Sequence, residues 1–178
     1  MVIIQTERLV IRPFELSDLK TTHEYASDIE NTIYMMHLPN NTEQETKKFL
    51  VRVTDEWAKE IPQFYEFAIS LADNHIGGVS VSLDESRQIG ELGWIIHKAY
   101  QCSGYATEAA IAVLDFAVNN LKVKKIIAHC DYRNEASIRV MQKIGLVLES
   151  TDGKRRYKDT EQDIQELMYS LLTDKTSD

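Results

Sequence analysis

The segment from residue 64 to residue 97 constrains the fold more than any other part of the sequence, because its apolar residues recur at every second position. Two short polar segments, 72–74 and 84–86, divide it into three predicted strands. These strands are 64–71, 75–83 and 89–97. Strands joined by such short connections run antiparallel, so the centre of the fold is predicted to be an antiparallel meander.

Helical periodicity flanks the meander on both sides. Thr42 and Glu45 form a predicted capping box that opens a helix with Phe49, Val53 and Trp57 on one face. The other predicted elements, in chain order, are a strand (8–14), a helix (18–27), a loop or short helix (31–41), a helix (104–119), a strand (125–130), a helix (135–144), a strand (146–150), a charged loop (154–156) and a final strand (164–172). A meander with flanking helices predicts an α/β protein of the α+β type.

Length and composition indicate one folded domain. The chain has 178 residues, of which 43% are hydrophobic and 27% are charged, with seven glycines and three prolines. This is enough apolar material for a single core, and it excludes disordered and collagen-like classes. We expect one domain at 1–172 and a C-terminal tail at 173–178.

Charge and targeting features restrict the partners. The net charge of -8 argues against binding to phosphate backbones, so no nucleic-acid partner is expected. It suits a cationic or neutral partner, although solubility alone also explains it. No apolar run approaches the roughly 20 residues that cross a bilayer, and the N-terminus lacks a signal-peptide pattern. Cys102 and Cys130 form no CxxC pair, so a cytoplasmic location without a membrane partner is predicted.

A loop of small residues follows the last strand of the meander. It runs from Gln101 to Ala106, directly before the helix predicted from Gly104. Small residues at a strand-to-helix turn let backbone N–H groups converge on an anion such as a pyrophosphate. The loop lacks the lysine of a P-loop and the GxGxxG pattern of a dinucleotide site. An ordinary helix start is the alternative interpretation.

The pattern Gln101-x-x-Gly104-x-Ala106 resembles the Q/R-x-x-G-x-G/A signature of the GNAT superfamily of acetyl-CoA-dependent N-acetyltransferases. The segment 6–13 resembles the opening strand of the RimJ/RimL-type branch, which includes the ribosomal-protein N-acetyltransferases. The segments 104–109 and 134–146 resemble that branch's extended loop and its next helix. The resemblance extends from about residue 6 to residue 172.

The resemblance implies a GNAT fold and a set of acetyl-CoA contacts. The implied sheet is mixed and mostly antiparallel, with six to seven strands, a V-shaped splay between the fourth and fifth strands, and about four helices. The pantetheine arm is expected to pair with the backbone of Ile96 and to accept a hydrogen bond from Asn134. Gly93 fits either a bulge, a close approach of another chain, or plain packing. The residues expected to bind the pyrophosphate are Gln101, Cys102, Ser103, Gly104, Tyr105 and Ala106.

Glu91 is the first candidate for the general base, since related enzymes often keep a carboxylate on this central strand. The alternatives are a solvent-facing Glu91 in a cross-strand ion pair and a base that acts through water. Many family members carry a tyrosine acid at the position of Met141, which cannot donate a proton. Ser137 is the candidate replacement, and helix capping is its alternative role. An acetyl-cysteine on Cys102 or Cys130 is disfavoured.

The remaining predictions concern metals and the acceptor. His75, His97 and His129 lack partners at ligand spacing, so no metal is predicted. The residues Tyr34, Met35, Met36 and Tyr65 either line the acceptor pocket or pack in the core.

The resemblance favours acetyl transfer to the N-terminal amine of a protein or peptide. A small cationic amine, such as a polyamine or an aminoglycoside, is the closest rival, and a non-catalytic CoA-binding sensor is the rival from another class. The oligomeric state is open, with a homodimer as one option.

Overall fold

A computed structural model describes residues 2–173. The strands are β1 (Ile4–Gln5), β2 (Leu9–Pro13), β3 (Phe64–Leu71), β4 (Asn74–Leu83), β5 (Ile89–Ile96), β6 (Lys125–Asp131), β7 (Val147–Arg156) and β8 (Asp163–Leu172). They form one eight-stranded sheet in the order β1-β2-β3-β4-β5-β6-β8-β7. The helices are α1 (Leu19–Ala26), α2 (Ile29–Thr32), α3 (Glu43–Trp57), α4 (Tyr105–Asn119) and α5 (Glu135–Lys143). None of these helices is long and apolar enough to cross a bilayer.

The predicted α+β class and the mostly antiparallel sheet are confirmed. Only the β5–β6 pair is parallel. The sheet has one strand more than the predicted upper limit because Ile4 and Gln5 pair with β2. A fifth helix appears because Asp28 caps a single helical turn, accepting from the backbone N–H of Asn31.

Both faces of the meander are covered, which places the core on each side of the sheet. On one face, Tyr65 and Phe67 pack edge-on against Phe116 of α4. On the other face, Ala68 packs with Leu50 of α3 in a second apolar cluster. The period of two therefore separates two layers of helices, with α4 and α5 on one side and α1 and α3 on the other.

Strand β7 corrects the prediction of a short strand followed by a charged loop. The strand continues to Arg156, and Lys154, Arg155 and Arg156 pair with β8 after two register irregularities. Their side chains alternate between solvent and protein: Arg155 is only 8% exposed, while its two neighbours are exposed. A run of charges is compatible with this strand at the edge of the sheet, where alternate side chains face water.

Only one of the two hydrogen bonds expected for the predicted capping box of α3 is present. Thr42 Oγ1 accepts from the backbone N–H of Glu45 at 3.3 Å. The Glu45 carboxylate accepts instead from the backbone N–H of Asn41, at 2.8 Å. The helix start is nevertheless fixed where the sequence predicts it.

The central splay of the sheet is confirmed. Strands β5 and β6 pair only at Ile89–Lys125, Gly90–Ile126 and Glu91–Ile127. Beyond Glu91 the two strands continue without pairing with each other. They leave a V-shaped gap that begins in the middle of the sheet and opens toward the 101–106 loop.

Candidate active site

The β5 side of the V-shaped gap presents unpaired backbone groups. The register of β5 against β4 and the bond from His97 N–H to the Ile76 carbonyl show that Gly93 and Ile95 turn their backbone groups toward β4. Because backbone direction alternates along a strand, Trp94 and Ile96 turn theirs toward the gap. The Ile96 carbonyl already accepts from Gln101 Nε2 at 2.9 Å. The sequence prediction named Ile96 but missed Trp94, which follows from the same alternation.

The 101–106 loop, called the cradle below, lies at the mouth of the gap and is the predicted anion site. Gly104 is left-handed, with φ +82°, and Cys102 also has a positive φ of +61°. The first helical bond of α4 runs from Glu108 N–H to the Gly104 carbonyl. Within residues 2–173, the backbone N–H groups of 102–107 donate to no protein acceptor. Unpaired N–H groups at a helix start, arranged in this way, bind phosphate oxygens.

Arg8, the residue before β2, contacts this cradle. Its guanidinium bonds Glu108 Oε2 at 2.7 Å and the Ser103 carbonyl at 3.0 Å, and it lies over the Tyr105 ring at 4.6 Å. It therefore holds the loop to α4, with its charge paired to Glu108. The segment around Arg8 is predicted from the sequence to be a strand, with no role indicated for this side chain.

Asn134 and Ser137 meet at the start of α5. Asn134 Oδ1 accepts from the backbone N–H of Ser137 at 3.1 Å, so Asn134 is the cap of this helix. In the described part of the chain, neither Asn134 Nδ2 nor the Ser137 hydroxyl has a hydrogen-bond partner. Capping by Ser137 is therefore not how α5 begins, and its catalytic role stays a prediction. Met141 is 0% exposed and belongs to the core.

Glu91 stands where the gap begins. Its Oε1 lies 2.8 Å from His129 Nδ1 on β6, and its side chain is 49% exposed. The hydrogen bond that His129 donates to the Glu91 carboxylate raises the pKa of His129, because it favours the protonated imidazole. This is the cross-strand ion-pair geometry that the sequence left as the alternative. The role of Glu91 as a base stays a prediction.

A cavity of about 340 Å³ lies on the α1 and α3 side of the sheet. The sheet residues Ser80, Gly93, Trp94 and Ile95 form its floor beside the V-shaped gap. Helices α1 and α3, the 33–41 loop and Phe14, which follows β2, close it from above. The helix and loop residues are Tyr25, Met35, His37, Leu38, Phe49 and Arg52.

Of the predicted pocket residues only Met35 reaches this cavity. Tyr65 packs on the opposite face of the sheet, against Trp57 and Phe116. Gly93 marks no bulge, because the β4–β5 register is uninterrupted. It fits plain packing: a Cβ there would lie 3.0 Å from Ser80 Oγ, so the glycine leaves room for that side chain.

Glu66 supplies the one carboxylate among the residues that line the cavity. It lies on β3, in a cross-strand row with Ser80 and Gly93. Burial raises the pKa of Glu66 to about 7, and the Arg52 charge opposes that rise. Sequence reasoning missed Glu66 because its place over the floor depends on the register of three strands.

The two cysteines lie in different surroundings. Burial raises the pKa of Cys130 to about 11, so its thiolate is scarce at neutral pH. Cys102 is exposed in the cradle. Among residues 2–173 no three His, Cys, Asp or Glu side chains are grouped to hold a metal ion, and the absence of a metal stays a prediction.

Comparison with known proteins identifies the family. Residues 8–147 match the Acetyltransferase (GNAT) domain. The uncharacterized N-acetyltransferase YnaD of Bacillus subtilis is 34% identical over 80% of this chain and 81% of its own. The spermidine N(1)-acetyltransferase of Escherichia coli K12 is 26% identical over 78% of this chain and 73% of its own.

A solved structure shares the whole fold. It is an acetyl transferase of Salmonella typhimurium that modifies the N-terminal serine of ribosomal protein L7/L12. It superposes with a TM-score of 0.83 over 97% of this chain and 100% of its own, and at 16% identity it shows the fold alone. The family match and the relative YnaD carry the assignment: the chain belongs to the GNAT acetyltransferases and is an acetyl-transfer enzyme.

Proposed function

We propose that this enzyme transfers acetyl from acetyl-CoA directly to the N-terminal amine of a protein or peptide. The observation that carries the proposal is the shared floor of the cavity and the V-shaped gap, formed by Gly93, Trp94 and Ile95. An amine entering from the cavity meets a thioester lying in the gap without crossing another layer of protein. Direct attack needs no covalent enzyme intermediate.

The residues of the gap and the cradle fit acetyl-CoA. The N–H groups of the 101–106 loop suit the pyrophosphate, and the backbone edge of Trp94 and Ile96 suits the amides of pantetheine. Asn134 Nδ2 would donate to the same arm from the β6 side. Bound acetyl-CoA supplies the activated acetyl group, while the protein holds and orients it.

The charges in the cavity support an acceptor with a single amine. Among the described residues that line the cavity, Glu66 carries the one carboxylate and Arg52 carries a positive charge. Most of the other lining residues are apolar. A polyamine carries several charges and would need several carboxylates. A peptide N-terminus has one amine followed by one side chain, which an apolar cavity of about 340 Å³ accommodates.

A small cationic amine remains the second candidate, for a specific reason. The net charge of -8 attracts cations to the surface. One relative in the comparison is named a spermidine N(1)-acetyltransferase. Polyamines and aminoglycosides therefore belong in any substrate test.

In this proposal Glu91 and Ser137 retain their predicted roles at the reacting centre. Glu91 is one candidate to take the amine proton, directly or through water, at the start of the gap. Ser137 would give a proton to the departing thiolate, since its hydroxyl is not used to cap α5.

The test is release of free CoA thiol from acetyl-CoA in the presence of N-terminal peptides, spermidine or an aminoglycoside. We expect the peptides to give the highest kcat/KM. Faster turnover of spermidine would transfer the assignment to small amines. Thermal stabilisation by acetyl-CoA without thiol release from any amine would favour the non-catalytic sensor.

A further inference from the structure

We propose that the Glu66 carboxylate binds the ammonium group of the acceptor in the cavity and accepts its proton as the amine attacks the thioester. This inference rests on the proposed function and adds a catalytic residue that the family resemblance did not indicate. It starts from one side chain on β3 that faces the cavity and has no hydrogen-bond or ion-pair partner among residues 2–173.

The position of Glu66 brings its carboxylate toward the reacting centre. Glu66 pairs with Ser80, and Ser80 pairs with Gly93, so the three residues form one row across β3, β4 and β5 on the cavity face. Neighbouring strands lie about 4.8 Å apart, so the row spans about 10 Å. The Glu66 side chain covers part of this distance from one end of the row. An amine placed over Gly93 covers the rest.

Gly93 and Ser80 keep the row open. Gly93 has no side chain to block the floor. Ser80 Oγ lies 3.0 Å from the position that a Cβ of residue 93 would occupy. The hydroxyl therefore lies between Glu66 and the gap, where it can accept from a bound ammonium. The small side chains in the middle of the row leave the space that an acceptor needs.

The Glu66 carboxylate is available for a ligand. In the described part of the chain no N–H or O–H group donates to it and no cation lies within 4.0 Å, although its backbone carbonyl accepts from Trp57 Nε1. A half-buried carboxylate without a partner is partly desolvated, at a cost that a bound ammonium would remove.

Few other charged or titratable groups face Glu66. They are Arg52 on α3, Tyr25 on α1 and His37 on the 33–41 loop, with His75 of β4 behind Tyr25 and Phe14. Arg52 lies over the rings of Phe49 and Phe64 rather than on the carboxylate. Its charge favours the ionised form without occupying the Glu66 oxygens.

Glu91 is differently placed. It is half exposed and held by His129, and it does not line the cavity. A base for an amine inside the cavity must reach that amine directly or through one water. Glu66 meets this requirement from within the cavity wall.

The proposed step balances. The ammonium gives one proton to the Glu66 carboxylate, and the amine nitrogen forms a bond to the thioester carbon. The C–S bond breaks and the thiolate leaves with its electron pair. The second proton that the nitrogen loses, passed through water or the Ser137 hydroxyl, converts the thiolate to CoA thiol. Glu66 returns its proton to solvent when the amide leaves, so acetyl-CoA and an ammonium yield an amide, CoA and one proton.

The activity test compares three carboxylate-to-amide variants. Glu66→Gln should lower kcat/KM about 100-fold or more at pH 7, within the range for a general base. It should also move the rising limb of the pH profile from near pH 7 to the pKa of the amine itself, about 8 for an N-terminus. The affinity for acetyl-CoA should be unchanged. Glu60→Gln, which removes an exposed carboxylate ahead of β3, should behave as wild type.

Glu91→Gln separates the two candidate bases. If Glu66→Gln keeps the wild-type pH profile while Glu91→Gln loses the rising limb, the role of Glu66 is overturned. If both variants keep the wild-type profile, it is overturned as well. Partial recovery of rate by Glu66→Asp would support it.

A second measurement does not depend on turnover. In protein labelled with ¹³C at glutamate carboxyls, the resonance missing from Glu66→Gln should titrate near pH 7 and shift when a short peptide amide is added to the CoA complex. Titration near 4.5 with no response to the peptide would overturn the inference even if acetyl transfer is observed. A shifted resonance without thiol release would instead show that Glu66 binds amines while the proposed function fails.

Discussion

At the residue scale, Gly104 decides whether the cradle can form. Its backbone is left-handed, with φ +82°, and an added Cβ would lie 3.4 Å from Arg8 Nη2. A β-branched residue cannot adopt this conformation without strain. We expect Gly104→Val to weaken acetyl-CoA binding tenfold or more in a protein that still folds, as measured by calorimetry and thermal melting. Gly104→Asn tolerates the left-handed region better and should retain more affinity. Equal affinity in Gly104→Val and wild type would contradict the role of the loop.

Glu66 should also make stability depend on pH. Its pKa is raised from 4.5 to about 7, so between these values the folded protein holds a proton that the unfolded chain has lost. Stability therefore falls as the pH rises through this window. Relative to wild type, Glu66→Gln should gain about 2 kcal/mol of unfolding free energy between pH 5 and pH 8. Denaturant unfolding at both pH values measures this difference, and Glu60→Gln should show none.

Asn134 and Ser137 form a natural pair for mutation. Asn134→Ala removes the cap of α5 and should cost about 1 kcal/mol of stability. Ser137→Ala should leave the melting temperature nearly unchanged but lower kcat about 10- to 1000-fold if the hydroxyl protonates the thiolate. A fully active Ser137→Ala enzyme would remove that role and direct the search to Tyr100, Tyr132 or bulk water.

These residues also show what a sequence can predict. The spacing of Gln101, Gly104 and Ala106 indicates the cradle because the chemistry is local to one turn. Glu66 gains its place from the register of three strands, and Arg8 contacts a loop about a hundred residues away. Such long-range contacts leave no local pattern, so neither residue could be identified from its neighbours in the chain.

At the element scale, the 33–41 loop closes the cavity through contacts with distant parts of the fold. Tyr34 donates to the Arg133 carbonyl at 3.4 Å. Lys158 donates to the Met36 carbonyl through its backbone N–H, at 3.0 Å, and to the Pro39 carbonyl through Nζ, at 3.1 Å. The loop therefore spans the open end of the V from one half of the sheet to the other.

Loosening this loop should affect the acceptor and not the cofactor. Lys158→Met removes the bond to Pro39 and the charge near Glu45, while the backbone bond remains. We expect the KM for the amine to rise several-fold and the affinity for acetyl-CoA to stay constant, in steady-state kinetics and calorimetry. Lys154→Met is the control, since Lys154 is exposed on β7. A matching rise in both variants would mean that charge alone is responsible.

The elements differ in how well their sequences predict them. Strands β3 to β5 follow from alternation, because each has one face against α4. Strand β7 was truncated in the prediction because Lys154, Arg155 and Arg156 are typical of a loop. Its edge position in the sheet, which only the tertiary fold defines, makes those charges acceptable.

At the scale of the whole molecule, the sheet consists of two halves that are joined by three residue pairs between β5 and β6. If acetyl-CoA pairs with the exposed edge, the amide protons of Trp94 and Ile96 should exchange with solvent more slowly in its presence. The His129 amide, on the β6 side of the gap, should behave likewise. Gly93 and Ile95 already bond to β4 and should change little. Residue-resolved hydrogen exchange measures both sets, and equal effects on them would contradict pairing in the gap.

The V-shaped gap has a consequence for how the enzyme responds to its surroundings. The cradle and the backbone edge of β5 would contact the pyrophosphate and the pantetheine, which acetyl-CoA and spent CoA have in common. Interactions that substrate and product share cannot discriminate between them. Spent CoA should therefore occupy the site about as well as fresh acetyl donor does. The rate of acetylation would then follow the ratio of the two molecules rather than the amount of acetyl-CoA, and so report the supply of activated acetyl groups.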